Sequence, residues 1–166
     1  TTFTNPTPTA FDHFGYSVAS VGTDRVFIVA DADTTETNTA RAALFLRAAL
    51  TLLTTFTNPT PAASDLFGTS VATVGFDKVV IVAAPDNTGA NNAGAVYLFS
   101  TNGTLLTTFT NPTPAANDYF GTSVAAVGTD RVLIGARDDD TGATEAGAAY
   151  LFNAKATLLT AFTTPT

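Results

Sequence analysis

FGTSVAAVGTDRVLIGA, residues 120–136, holds two short apolar runs joined by Gly128-Thr129-Asp130. The first run, FGTSVAAVG, stops at a glycine, and the second, RVLIGA, is apolar throughout after its arginine. Gly and Asp in the link favour a tight reversal, because glycine accepts positive φ and aspartate bonds its own backbone. A polar stretch rich in Asp, Thr and Gly follows at 137–145, then GAAYLF at 147–152 and, after a short turn, TLLTAF at 157–162. Runs of this length between turn signals predict a four-stranded meander. The equivalent runs VVIVAA and VYLF do not alternate with polar residues. Strands apolar on both sides are buried on both sides, so each small sheet needs other sheets packed against it. Sheets stacked around an axis meet that need.

The unit recurs. TTFTNPTP stands at Thr1, Thr54 and Thr107, and a worn copy, TAFTTPT, begins at Thr160. Phe3, Phe56, Phe109 and Phe162 are each 53 residues apart, as are Phe14-Gly15, Phe67-Gly68 and Phe120-Gly121. Asp12, Asp65 and Asp118 keep the same step, and so do Asp24, Asp77 and Asp130. The second and third units agree at roughly two-thirds of their positions, a level that establishes the repeat. The expected layout is an outer strand and linker at 1–8 and units at 9–61, 62–114 and 115–166. The last turn of unit 2 carries Asn102-Gly103, a strong hairpin signal. One stretch opposes the pattern. ARAALFLRAALTLL, residues 40–53, is full of helix formers. By register it is the third and fourth strands of unit 1, with Arg47-Ala48-Ala49-Leu50 as the turn.

Composition bounds the function. The net charge is −7 with few charged residues, which disfavours nucleic acid as a partner. No apolar run reaches membrane-spanning length, so membrane insertion is not expected. Cysteine is absent, which removes disulfides, thiolate metal sites and cysteine nucleophiles. Methionine is absent too, even at the first position, so a processed or excised segment is expected, and both functional expectations below place it outside the cell or at its surface. About a fifth of the residues are Thr, which suits strands. Thr beside Pro also makes Thr4, Thr7, Thr57, Thr60, Thr110 and Thr113 candidates for O-linked sugars. Asn102-Gly103-Thr104 is an N-glycosylation pattern, whereas the Asn-Pro-Thr triplets are blocked by proline.

With its Phe-Gly openings, apolar second strands, acidic loops and Ala-Tyr-Leu-Phe third strand, the chain resembles the FG-GAP repeat family along essentially its whole length. These are the β-propeller blades of integrin α subunits and many bacterial surface proteins. The Gly-Ala-Pro element is altered, reading Val29-Ala30-Asp31, then Val82-Ala83-Ala84, then Gly135-Ala136-Arg137. The resemblance implies an all-β fold of three four-stranded antiparallel propeller-type blades, incomplete as a closed ring on its own. It also implies calcium, which integrin-type blades hold in an Asp-x-Asp-x-Asp-Gly loop. The candidate ligands are Asp31, Asp33, Asp86, Asn87, Asp138, Asp139 and Asp140, although only Asp31 and Asp33 keep the first spacing. Asp33, Asp86 and Asp139 also suit a turn-capping role at their shared register position.

No catalytic set is present. His13 stands where the other units carry Leu66 and Tyr119, and reads as a partly buried filler. Asp12, Asp65 and Asp118, like Asp24, Asp77 and Asp130, recur in every copy and read as turn-stabilising. Three blades leave open faces and unpaired edges, so association is expected. Phe3 and Phe162 mark the outer strands expected to mediate it. A structural protein joining copies of itself into a fibre is the first expectation. A cell-surface adhesion propeller binding glycans or other ligands, as a dimer of three-blade chains or a fragment of a longer propeller, is the second, and no enzyme is expected.

Overall fold

The computed structural model describes residues 2–6, 8, 12–30, 41–46, 51–62 and 65–164; within residues 41–46, only Ala43 and Phe45 have described side chains. Among them there are twelve strands and no helix. They form three four-stranded antiparallel meanders. Sheet 1 holds β1 (Val18–Val21), β2 (Arg25–Ala30), β3 (Arg41–Leu46) and β4 (Thr51–Thr57). Sheet 2 holds β5 (Val71–Val74), β6 (Lys78–Ala83), β7 (Ala95–Ser100) and β8 (Leu105–Thr110). Sheet 3 holds β9 (Phe120–Val127), β10 (Arg131–Ala136), β11 (Ala148–Asn153) and β12 (Leu158–Thr163).

The helix-favouring stretch is β3 and β4. Its alanines and leucines pair with β2 on one side and complete the sheet on the other, so tertiary pairing overrides local propensity. The 53-residue step slips here. Phe45 faces Val26 and Leu52, as Phe99 faces Val79 and Leu105, so the β3–β4 link is one residue longer than the β7–β8 link. The expected turn at Arg47-Ala48-Ala49-Leu50 lies outside the described residues.

The sheets stack face to face. Val21, Phe27, Val29 and Phe56 of sheet 1 share one buried cluster with Phe67 and with Val79, Ile81, Tyr97 and Phe99 of sheet 2. Val80, Val82, Val96, Leu98 and Phe109, on the opposite side of sheet 2, share a second with Phe120, Val132, Ile134, Tyr150 and Phe152 of the third unit. That explains why β6 and β7 are buried along almost their whole length. Each sheet therefore has an entry face, toward the preceding unit, and an exit face, toward the following one.

One aromatic arrangement recurs at every entry face. The phenylalanine of the repeated phrase packs on the third-strand phenylalanine of the next unit: Phe56 on Phe99 at 5.4 Å and Phe109 on Phe152 at 5.5 Å between ring centroids. The Phe-Gly phenylalanine meets the same ring edge-on, Phe67 at 6.3 Å and Phe120 at 6.1 Å. Unit 1 repeats the set with Phe3 on Phe45 at 5.4 Å and Phe14 at 6.2 Å. The glycine of Phe-Gly is needed for two reasons. Gly121 sits at φ +100, and a Cβ there would lie 2.7 Å from Val82 Cγ1 and 2.8 Å from Val96 Cγ2. The backbone thus closes directly on the preceding sheet.

Candidate functional site

At one rim of each junction, polar side chains converge beneath the repeated phrase. At the junction of units 1 and 2, Asn58 Nδ2 donates to Asp65 Oδ2 at 2.9 Å, and the Ala62 N–H donates to the same oxygen at 2.7 Å. Tyr97 donates to Asp86 Oδ2 at 2.8 Å, and the Thr60 hydroxyl lies 2.6 Å from the Tyr97 oxygen. The Thr88 N–H closes the acidic loop onto Asp86 Oδ1 at 2.7 Å. At the junction of units 2 and 3, Asn111 Nδ2 bridges two carboxylates, Asp118 at 2.7 Å and Asp139 at 2.9 Å. Tyr150 donates to Asp139 Oδ2 at 2.7 Å and the Thr141 N–H to Oδ1 at 2.8 Å. Unit 1 keeps the first link, Asn5 to Asp12 at 2.6 Å, but has Ala43 opposite Ile28 where Tyr97 and Tyr150 face Ile81 and Ile134.

Asp65, Asp86, Asp118 and Asp139 are all buried. Burial pushes the Asp65 carboxyl up, and the nearby Asp86 adds to the rise, against the Ala62 and Asn58 hydrogen bonds. Burial raises Asp118 as well, with Asp139 and Asp140 adding to it. Burial also acts on Asp139, but hydrogen bonds from Thr141, Tyr150 and Asn111 outweigh it and hold that carboxyl low. Burial drives the Tyr97 and Tyr150 phenols up, so both remain neutral donors. Asp65 Oδ1 is buried with no hydrogen-bond partner.

The acidic-loop candidates are placed as follows. Asp86 and Asp139 point inward, toward the aspartate that precedes Phe-Gly. Asn87 Oδ1 accepts the Asn92 N–H at 2.8 Å, and Asp140 Oδ1 the Glu145 N–H at 2.7 Å. Asp138 accepts from Arg137 Nε at 3.0 Å. Asp31 and Asp33 lie outside the described residues. Among the described residues, no three His, Cys, Asp or Glu side chains come together as a group able to hold a metal ion. Asp24, Asp77 and Asp130 form exposed ion pairs with Arg25, Lys78 and Arg131 at the β-turns. His13 is exposed, which corrects the reading of a partly buried filler. What His13, Leu66 and Tyr119 share is positive φ, at 46°, 46° and 49°.

Of the sugar candidates, Thr4, Thr57 and Thr110 are exposed, as is Asn102 in its hairpin. Thr60 and Thr113 are exposed but their hydroxyls are engaged, Thr113 with Thr141 at 3.2 Å. Thr7 lies outside the described residues. Sequence reasoning missed Asn58, Asn111, Tyr97 and Tyr150. The available signal was the constant seven-residue spacing from Asn5, Asn58 and Asn111 to Asp12, Asp65 and Asp118.

The cluster is a clamp. It ties the phrase leaving one sheet to the loop and entry turn of the next, and the backbone reinforces it. Asn117, Tyr119 and Phe120 of unit 3 donate to the carbonyls of Asn91, Asn92 and Ala93 of unit 2 at 2.9, 3.2 and 2.8 Å.

Comparison with known proteins agrees with this architecture. The profile described as FG-GAP repeat matches residues 53–99 and 107–152. No curated protein matches the chain. Among solved structures, a eukaryotic initiation factor superposes with a TM-score of 0.57 at 13% identity, over 94% of this chain and 34% of that one. The Dos1 propeller superposes with a TM-score of 0.50 at 17% identity, over 86% of this chain and 32% of that one. At such identities the likeness is one of fold. The chain spans about a third of the length of each neighbour.

Proposed function

This chain belongs to the FG-GAP repeat family, and from that premise we propose that it is an extracellular structural repeat protein whose copies join into a fibre or extended array by blade stacking or terminal-strand addition. The supporting observation is the exit face of sheet 3. In sheets 1 and 2 that face is buried under the next unit, whereas every residue of β12 is exposed. Phe162 there is exposed, whereas its equivalents Phe56 and Phe109 are buried. A three-blade body with an apolar face uncovered at one end is suited to heterologous, head-to-tail contact, which builds filaments when it does not close. The reading is non-enzymatic. Electron microscopy of the purified native material tests it. Filaments with a repeat commensurate with three blades are expected, and discrete rings would overturn the fibre reading.

A second reading has its own support. The solved neighbours are about three times as long as this chain, as closed propellers of more blades would be. Two three-blade chains would then make one ring that binds surface ligands or glycans on its loop face. Discrete rings that retain a glycan in a binding assay would favour it. Nucleic acid is not proposed as a partner for so acidic a chain. Among the described residues no helix is long and apolar enough to cross a membrane.

A further inference from the structure

Both open faces carry the parts of a junction. On the exit face of sheet 3, Ser123 pairs with Gly135, Gly135 with Ala149, and Ala149 with Phe162. Val82, Val96 and Phe109 occupy the last three of these places in sheet 2, where the incoming Gly121 sits against the two valines. With Gly and Ala in place of the valines, sheet 3 carries an open depression lined by Gly135, Ala149, Phe162 and their neighbours. Phe162 is 54% exposed, against 1% for Phe56 and 0% for Phe109. On the entry face of sheet 1, Gly15 has nothing within 4 Å of where its Cβ would be, whereas Gly68 and Gly121 are pressed on valines. Val18 is 64% exposed, while Val71 and Val124 at its register position pack into the two junction clusters. Beside Gly15 stands exposed Tyr16, where units 2 and 3 carry Thr69 and Thr122. The incoming edge is enlarged where the receiving face is hollowed.

This chain's own residues 2–6 cover only part of the entry face of sheet 1, around Phe14, Ile28 and Phe45, and leave Gly15 and Val18 open. Phe3 makes on Phe45 the contact that Phe56 makes on Phe99, at the same 5.4 Å. Asn5 and Pro6 lie over Phe14, Ile28 and Ala43 with a small void of about 20 Å³ beneath them. The phrase reproduces an exit strand's knob without being a strand of any sheet. Resting on the self-assembly reading above, we propose that unit 1 of a second copy docks on the exit face of sheet 3, with Phe162 taking the place of Phe3 between Phe14 and Phe45. Residues 2–6 are then a removable cover that holds this part of the entry face until a second copy displaces it.

The internal junctions give a geometric test in a chain without cysteine. A Cβ on Gly75 would lie 3.7 Å from Thr129 Cβ, within the range of a disulfide. At the intermolecular junction the same places are Gly128 of one copy and Thr23 of the next, and Gly128 has open space around it. The full chain carrying Thr23→Cys and Gly128→Cys is oxidised, then run on a non-reducing gel beside sedimentation of the same sample. Covalent multimers are expected. Phe162→Asp, at an exposed site, should reduce them at least tenfold with an unchanged melting curve, and Phe3→Ala should tighten association by about tenfold. Association that persists without the disulfide and ignores Phe162→Asp overturns this junction while leaving self-assembly standing. Absence of association in both the parent and Phe3→Ala overturns both. Cross-linking that stops at a closed dimer upholds the junction and overturns the fibre. A Phe3→Ala chain that associates no better than the parent overturns the cover.

Discussion

Phe109 and Phe162 occupy equivalent places on their outer strands, facing Val96 and Ala149 in the sheets, yet one is wholly buried and the other is half exposed. The difference comes from what lies beyond the strand. Phe109 is gripped by Phe152 of the following unit, while the exit face bearing Phe162 is uncovered. The hydrophobic energy of this repeat therefore resides at the junctions between sheets rather than within each sheet. A repeat that buries its apolar face only against a neighbour has this one-dimensional character.

The largest expected effect breaks that contrast directly. Phe109→Ala empties the centre of the junction between sheets 2 and 3 and should cost about 3–5 kcal/mol, whereas Phe162→Ala should stay within about 0.5 kcal/mol in the monomer. Urea denaturation at a concentration too low for association measures both. Comparable losses at the two positions would show that the outer strand, not the junction, is the stabilised element. Next in size are the glycines. Gly121→Ala drives a Cβ into Val82 and Val96 and should cost about 1–3 kcal/mol beyond the cost of positive φ. Gly15→Ala has the same backbone conformation at φ +99 and open space around it, so it should carry the conformational cost alone, about 1–2 kcal/mol.

The clamp ranks third. Asn111→Ala leaves Asp118 and Asp139 short of a shared buried donor and should cost about 1–3 kcal/mol, more than Asn5→Ala at the half-buried equivalent in unit 1. Its pH dependence separates the two carboxylates. Asp65 and Asp118 are raised above their ordinary value of 3.8, so they hold protons more tightly folded than unfolded. Their contribution to stability is full below 3.8 and is lost as pH rises through their folded values. Asp139 is lowered, so its contribution is present above 3.8 and is lost as pH falls through its folded value. Melting temperature should therefore rise on acidification from neutral pH toward 3.8 and fall below it. Asp118→Asn should flatten the rise, and Asp139→Asn the fall. Melting curves in a series of buffers check this, and a stability that declines steadily from neutral pH in both parent and Asp118→Asn would contradict it.

What was legible in the sequence was whatever each unit settles for itself. RVLIGA and TLLTAF lie on β10 and β12 almost residue for residue, because apolar runs and turn residues are local signals. Register even overrode the helix-favouring alanines of β3. What depends on a neighbouring unit was not legible. In sequence the Asn of Asn-Pro-Thr reads only as a blocked sugar acceptor, yet its amide holds an aspartate seven residues on and, for Asn111, a second one in the acidic loop of unit 3. Strict 53-residue counting would not place Phe45 opposite Val26, because the slip lies in a link whose length the pairing of β3 with β2 and β4 decides. Nor does the phrase reveal that its phenylalanine serves the unit after it as well as its own sheet, as Phe56 does with Phe99 and Phe27.

The smallest expected effect sharpens the comparison between units 2 and 3 at their last hairpins. Ala156 sits at φ 59 where unit 2 has Gly103 at φ 92. Left-handed backbone costs a non-glycine residue about 1–2 kcal/mol. The strain at Ala156 is offset in two ways. Its methyl packs against the junction cluster of sheets 2 and 3, and Asn153 Oδ1 accepts the N–H groups of Lys155 at 2.9 Å and Thr157 at 3.0 Å to hold the turn. Ala156→Gly relieves the strain but loses that methyl contact and gains unfolded-state entropy, so the net change should fall within about 0.5 kcal/mol. The reverse exchange is not symmetric. A Cβ on Gly103 would lie 2.9 Å from Thr54 Cγ2 on sheet 1, so Gly103→Ala adds a steric cost and should lose more than the backbone cost of about 1–2 kcal/mol alone. Equal and opposite changes for the two exchanges would mean that turn conformation alone sets hairpin stability. Unequal ones place that control, like the burial of Phe109, in the contact with the preceding or following sheet.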